Sequence, residues 1–160
     1  MNTKAGLGVS PIISVSFSVS SIWSHNFGNI TLVLYTCFIL VEVVLHSMLL
    51  RRGKLPGGMG RTILLLDALQ FPLSLVFTRF LNWFSVWLPD LGTFWGTLPG
   101  QVVFLAFAIV FTGIGAALSL NMRLIPNPGD GIVQAISDFS GKSVGLTKNC
   151  FDITNVAITT

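Results

Sequence analysis

The feature that most constrains this chain is a stretch of twenty residues, 101–120, without a charged side chain. A helix rises about 1.5 Å per residue, so this stretch is long enough to cross the ~30 Å hydrocarbon core of a lipid bilayer. Residues 30–50 and 62–78 are nearly as apolar, and the second of these stretches contains Pro72, which membrane helices tolerate. The sequence therefore predicts an all-α fold with three membrane-spanning helices, the second of them kinked.

The composition indicates the same environment. Hydrophobic residues make up 52% of the chain and charged residues only 9%, whereas a soluble domain carries about 25% charged residues. These proportions argue against a disordered chain, a nucleic-acid-binding protein and an ordinary cytosolic enzyme. We therefore expect one membrane domain over residues 1–160, with the lipid bilayer as its main partner and no nucleic acid.

The basic residues indicate an orientation. Four of them crowd the connection between the first two predicted spans: Arg51, Arg52, Lys54 and Arg61. Basic loops are retained in the cytoplasm during membrane insertion, so this connection is predicted to be cytoplasmic.

The sequence contains no recognisable catalytic or metal-binding motif. Cys37 and Cys150 show neither Cys-x-x-Cys nor histidine-paired spacing. The segment 141–143 ends like a phosphate-binding loop but lacks the glycine required five positions earlier. We therefore expect no enzymatic activity, no cofactor and no metal.

Two shorter segments do not fit a simple span. In residues 12–23, serine alternates with apolar residues as in a strand. A lone strand in lipid would leave its backbone groups unpaired, so we predict a helix opened by Ser10 and Pro11. In residues 131–139 the apolar side chains share one helical face: Ile132, Val133, Ile136 and Phe139.

The surroundings of these two segments match at a separation of 116–120 residues. We predict two repeat-related halves, a first unit over residues 1–61 and an incomplete second unit over residues 121–160, because repeated halves are common in transporters. If the short helices only dip into the membrane, the two copies are inverted, and seven basic residues lie on the cytoplasmic side against two outside. If the short helices cross the membrane, the copies are parallel, and the numbers are six inside and three outside. The positive-inside rule slightly favours inversion.

Several short motifs resemble those of a known family: AGLGVSP at 5–11, GRTIL at 60–64, NPGDG at 127–131, GKSVG at 141–145, and Lys148 four residues before Asp152. Together they are similar to the YczE/YitT group of bacterial multi-pass membrane proteins. The resemblance implies a helical protein of the bacterial inner (plasma) membrane with two related halves and no firmly assigned activity. It also implies a membrane helix before the glycine loop and a final span that is only partly present at the end of the chain, so the chain is expected to be truncated at both ends.

Ionisable residues at membrane depth are candidate functional groups, because they are costly there unless they are paired or wetted. Glu42 and His46 lie one helical turn apart, and Asp67 lies at a similar distance from the cytoplasmic connection. We expect all three to meet in the inner half of the bilayer. Two interpretations stay open: a proton or cation relay, and a hydrogen bond such as His46 to Asp67 that holds two spans together.

A second set of candidates surrounds the second short helix. Asp130 is placed to cap that helix, which would leave the following amides open to a ligand. Lys148 and Asp152 are four residues apart, so they either bind a solute or neutralise each other.

Two functions are compatible with these patterns. The first is a transporter-like protein in which the two glycine-rich loops bind a small solute or ion. The alternative is a non-transporting scaffold or assembly protein, which contacts itself or another membrane protein through small residues on the third span: Ala108, Thr112 and Ala116. A truncated chain without function is a third possibility.

Overall fold

The computed structural model describes residues 10–53, 58, 60–87, 98–122 and 125–159. Within these ranges the chain forms six helices and no strand: α1 (Pro11–Trp23), α2 (Phe27–Arg51), α3 (Gly60–Trp87), α4 (Leu98–Met122), α5 (Pro128–Ser140) and α6 (Val144–Thr159). The predicted all-α fold is confirmed, and the serine-alternating segment is helical. Most of the glycine motif at residues 5–11 lies outside the described residues, as does Lys54.

Among the described residues, two helices are long and apolar enough to cross a membrane: α2 with 25 residues and α3 with 28. Helix α3 continues through Pro72 and ends at Trp87, nine residues beyond the predicted end of the second span. Residues 79–87 include polar side chains but neither glycine nor proline, and polarity alone does not end a helix. The third predicted span forms α4, in which the structure describes an apolar stretch, Leu105–Gly115, that is shorter than a span.

Helix α3 has a polar buried face and an apolar exposed surface. Its buried side chains recur every three or four residues and are each at most 3% exposed: Asp67, Gln70, Ser74 and Thr78. Between residues 63 and 77 the rest of its surface is apolar, and Leu65, for example, is 63% exposed. A helix of a soluble domain has the opposite distribution, with its apolar stripe facing the core.

Helix α2 is the centre of the fold and packs against α3, α5 and α1. Its buried positions also recur every three or four residues and mix apolar with polar side chains: Gly28, Thr31, Tyr35, Ile39, Glu42, His46 and Leu49. Helix α6 packs against α1 and α5, whereas α4 makes no substantial contact with the other described helices.

Asn82 joins the end of α3 to the beginning of α2. Its Oδ1 accepts a hydrogen bond from the Gly28 amide at 2.9 Å, and its Nδ2 donates to Asn29 Oδ1 at 3.2 Å. The first amides of a helix have no partner within the helix, so Asn82 satisfies one of them from a neighbouring helix. This close approach requires a residue without a Cβ at position 28.

The short helices α1 and α5 have matching geometry. Both contain 13 residues, begin with proline and end at a residue in the left-handed conformation, Ser24 (φ 52°) and Gly141 (φ 70°). The offset is 117 residues at each boundary, from 11 to 128, from 23 to 140, and from the start of α2 at 27 to the start of α6 at 144.

The two short helices run in opposite directions from a shared point beside the middle of α2. Their first turns meet where the Ile12 side chain packs against Gly129. Helix α1 then leads back to the start of α2, whereas α5 follows α2 towards its end, where the Arg52 guanidinium lies 4.9 Å from the centre of the Phe139 ring. Helix α6 returns along α5 and reaches α1, where Thr159 Oγ1 lies 3.5 Å from Ser14 Oγ.

Replacing Gly28 by alanine is expected to destabilise the protein by about 1–3 kcal/mol, because overpacking forces neighbouring groups to move. The new Cβ would lie 2.6 Å from the Thr78 carbonyl oxygen and would also meet the Asn82 side chain. Gly145→Ala is the matched control, because Gly145 is likewise the second residue of its helix and no atom lies within 4 Å of a Cβ there. Thermal unfolding in detergent measures both variants. Equal stability of the two would contradict the close contact at Gly28.

Candidate functional site

Four polar side chains meet between α2 and α3 and form what we call the carboxylate–histidine cluster: Glu42, His46, Asp67 and Gln70. His46 Nδ1 lies 2.7 Å from Asp67 Oδ2, and Gln70 Nε2 donates to Glu42 Oε1 at 2.9 Å. All four residues are buried, with at most 7% of any of them exposed. Each helix contributes two residues one turn apart, so helical spacing places both pairs on facing surfaces.

Helices α2 and α3 border the cluster on two sides, and the first turn of α5 packs against it on a third. A Cβ at Gly131 would lie 2.7 Å from both carboxylate oxygens of Glu42. Glycine therefore lets the α5 backbone approach the Glu42 carboxylate more closely than any other residue would. Gly131 ends the NPGDG motif, but nothing in the sequence relates it to Glu42. Gln70 lies one turn after Asp67 within an apolar stretch, and that spacing is the signal that points to it.

Two acceptor atoms of the cluster have no hydrogen-bond partner among the described residues: Glu42 Oε2 and Gln70 Oε1. A buried polar atom without a partner costs about 1–3 kcal/mol. The cluster also places two carboxyl groups and an imidazole close together, a combination that holds a proton or a cation. The structure thus brings together Glu42, His46 and Asp67 and contains the hydrogen bond between the last two.

The second set of candidates is arranged differently from the sequence prediction. Asp130 does not cap α5, because the cap position belongs to Asn127, whose side chain makes no capping bond. Asp130 is the third residue of the helix and accepts a hydrogen bond from Lys148 Nζ at 2.9 Å. The alternative in which Lys148 and Asp152 neutralise each other is not seen among the described residues, because the turn between α5 and α6 brings Lys148 to Asp130 instead.

One side of α6 carries a row of polar residues that we call the polar face of α6: Lys148, Asp152, Asn155 and Thr159. Their spacing of four, three and four residues aligns them on one side of the helix. Asn155 is only 6% exposed, and within the described chain neither its Nδ2 nor Asp152 Oδ1 has a hydrogen-bond partner. The row connects the first turn of α5, through Asp130, with the first turn of α1, through Ser14.

The polar face of α6 extends beyond the residues that the motifs identified. Asn155 and Thr159 belong to it, although the sequence prediction named only Lys148 and Asp152 as binding candidates. The continuing helical spacing of polar residues was the available signal. On α5, the Asn127 side chain lies beside the Tyr35 hydroxyl, so the start of this helix also faces a buried polar group of α2.

Comparison with known proteins gives a family but no activity. Residues 1–160 match the model of a family of unknown function, DUF6198. No curated protein and no solved structure matches the chain.

Replacing Gln70 by leucine is expected to lower the free energy of unfolding by about 1–3 kcal/mol, because it removes the donor to a buried Glu42 carboxylate. The matched control is Gln134→Leu, which removes an exposed hydrogen bond between Gln134 Nε2 and Asp138 Oδ1 and should change stability by less than about 0.5 kcal/mol. Thermal unfolding of both variants in the same detergent compares them. A Gln70→Leu variant as stable as Gln134→Leu would show that the cluster does not need this donor.

Proposed function

The chain belongs to this family of unknown function, and from its own geometry we propose that it is a multi-pass transporter-like protein of the bacterial inner membrane. In this proposal a small polar solute or ion binds where the first turns of α1 and α5 meet the polar face of α6. No enzymatic activity is involved.

The surface of α3 supports a membrane location. Between residues 63 and 78 its polar side chains are buried and apolar ones such as Leu65 and Leu69 are exposed, which is stable when the surroundings are lipid and unfavourable when they are water. Arg51, Arg52 and Arg61 adjoin the connection between α2 and α3, so the positive-inside rule places that connection in the cytoplasm.

The matching short helices support an inverted repeat. A helix of 13 residues is about 20 Å long and does not cross the hydrocarbon core. Because α1 and α5 share their internal spacing and point in opposite directions from a common point, we propose that each dips into the membrane from a different side. Transporters with inverted repeats bind their substrates at such a midplane junction of broken helices. The positions of the NPGDG and GKSVG motifs at the two ends of α5 are compatible with a relationship to the YczE/YitT group.

The observation that carries the proposal is the polar face of α6 beside this junction. The first turns of α1 and α5 each carry about half a positive charge from their unpaired amides. Asp152 and Asn155 add an unpartnered acceptor and an unpartnered donor among the described residues, next to the ion pair of Lys148 and Asp130. A binding site for a small polar solute requires a few polar groups that converge within largely apolar surroundings, and this arrangement has that form.

A flux assay tests the proposal with defined solutes. Proteoliposomes are mixed with iso-osmotic urea, glycerol, glycine or sodium acetate, one solute at a time, and swelling is followed by light scattering. We expect at least one solute to enter faster than it enters empty liposomes, and Asp152→Asn to slow this entry at least tenfold, because it removes the charge beside the junction. Asp138→Asn is the control, since Asp138 is exposed, lies on α5 rather than α6, and is bonded to Gln134 one turn away on α5.

Two results would contradict the proposed function. One is that no solute of this panel enters faster than it enters protein-free liposomes. The other is an entry rate that is equal in wild type, Asp152→Asn and Asp138→Asn, since the flux would then bypass the polar face of α6.

A second candidate function, association with another membrane chain or with a second copy, is favoured by the exposed surface of α4. Helix α4 makes no substantial contact with the other described helices, and Phe107, Phe111 and Leu118 are each at least 59% exposed. Ala108 of the predicted small-residue face is buried, at 2% exposed, whereas the space beside Gly113, next to Thr112, is open and allows a second helix to approach the backbone closely.

Gly113→Leu is expected to weaken association without destabilising the single chain, because nothing within 4 Å opposes a side chain there. Crosslinking in membranes and size-exclusion chromatography in mild detergent measure the association. A wild type that remains a monomer, or a complex that the leucine leaves intact, would count against this function.

A further inference from the structure

We infer that the carboxylate–histidine cluster is a binding site for a divalent transition-metal ion, held by the carboxylates of Glu42 and Asp67, the imidazole of His46 and the side-chain carbonyl of Gln70. The site lies between α2, α3 and α5 and shares no residue with the polar face of α6. The metal site can therefore be tested independently of the proposed solute site.

The ligand atoms are close enough to share one ion. One atom from each of Glu42, His46 and Asp67 lies within 4.8 Å of the others. Zinc is held by nitrogen and oxygen ligands at about 2.0–2.2 Å, so ligands of one ion stand roughly 3–4 Å apart. Small rotations of these three side chains close the remaining gap.

The unpartnered atoms indicate that the ligand carries a positive charge. Within the described chain, Glu42 Oε2 and Gln70 Oε1 are both acceptors without a donor, and both belong to residues that are at most 2% exposed. Gln70 is held in place because its Nε2 donates to the other Glu42 oxygen. Two buried acceptors beside two carboxyl groups lack a donor or a positive partner, and a cation provides one directly.

The charge of the cluster indicates a divalent ion. When both are ionised beside a neutral imidazole, Glu42 and Asp67 carry two negative charges among residues that are almost completely shielded from solvent. One divalent ion balances them, whereas a monovalent ion leaves a net charge that is costly in a low-dielectric environment.

The ligand types indicate a first-row metal such as Mn²⁺ or Zn²⁺. Carboxylate and carbonyl oxygens suit Mn²⁺, imidazole suits Zn²⁺, and the described cluster has no thiolate that would select Cu⁺. His46 Nδ1 and Asp67 Oδ2 lie 2.7 Å apart and share a proton, so an ion that displaces this proton meets the lone pairs of both atoms.

The test measures metal content and affinity on the full chain, purified without a histidine tag and treated with EDTA. After dialysis against MnCl₂ or ZnCl₂, we expect mass spectrometry to find about one ion per chain. Titration calorimetry should show at least tenfold weaker binding in Glu42→Gln and Asp67→Asn. His25→Gln is the control, because His25 is the only other histidine of the chain and is exposed.

A further variant tests the site even if Glu42→Gln or Asp67→Asn does not fold. Gln70→Glu preserves the size of the side chain but adds a carboxylate, which repels Glu42 until an ion binds. The rise in melting temperature on adding MnCl₂ or ZnCl₂ should therefore be larger in Gln70→Glu than in wild type.

Three outcomes would overturn the metal site. The first is a monodisperse wild type that retains neither ion after dialysis. The second is unchanged affinity in folded Glu42→Gln and Asp67→Asn, and the third is a Gln70→Glu variant that the ions fail to stabilise more than wild type. None of these outcomes changes the solute entry measured with Asp152→Asn, so failure of the metal site and failure of the solute site are distinguishable.

Discussion

The contact between the Glu42 carboxylate and the Gly131 backbone determines where α5 lies in the fold. It places the start of that helix beside the middle of α2, and the Arg52 guanidinium over Phe139 sets its other end. The junction with α1 follows, because Gly129 is two residues before Gly131 and receives the Ile12 side chain. A larger residue at position 131 would therefore disturb both candidate sites.

Polar groups hold the inside of this protein together, and apolar side chains cover its outside. Hydroxyl groups on the buried faces of α2 and α3 mostly bond within their own helix, as Ser74 Oγ does to the Gln70 carbonyl oxygen at 2.7 Å. The bonds that join helices are fewer and come from longer side chains: Asn82, Gln70, His46 and Lys148. Orientation of the helices therefore depends on a small number of specific contacts.

The sequence was sufficient to predict the helices and the proximity of Glu42, His46 and Asp67. Helical spacing and depth in the membrane place those three residues together without any knowledge of other contacts. It was insufficient where a partner lies far away in the chain. Lys148 pairs with Asp130 rather than with its helical neighbour Asp152, and Gly131 covers a residue nearly ninety positions earlier. A metal motif was not recognisable either, because the four cluster residues come from two helices with irregular separation. The end of α3 was misplaced because polar residues were taken as a boundary.

The bonds within the cluster have a consequence for the order of assembly during synthesis. Helices α2 and α3 are adjacent in the chain, and the bonds from His46 to Asp67 and from Gln70 to Glu42 lie entirely between them. This hairpin can therefore shield most of its buried polar atoms before α5 has been translated. The Glu42 surface that Gly131 later covers and the Tyr35 hydroxyl beside Asn127 remain open, so the arrival of α5 completes a polar interior that the hairpin has already begun.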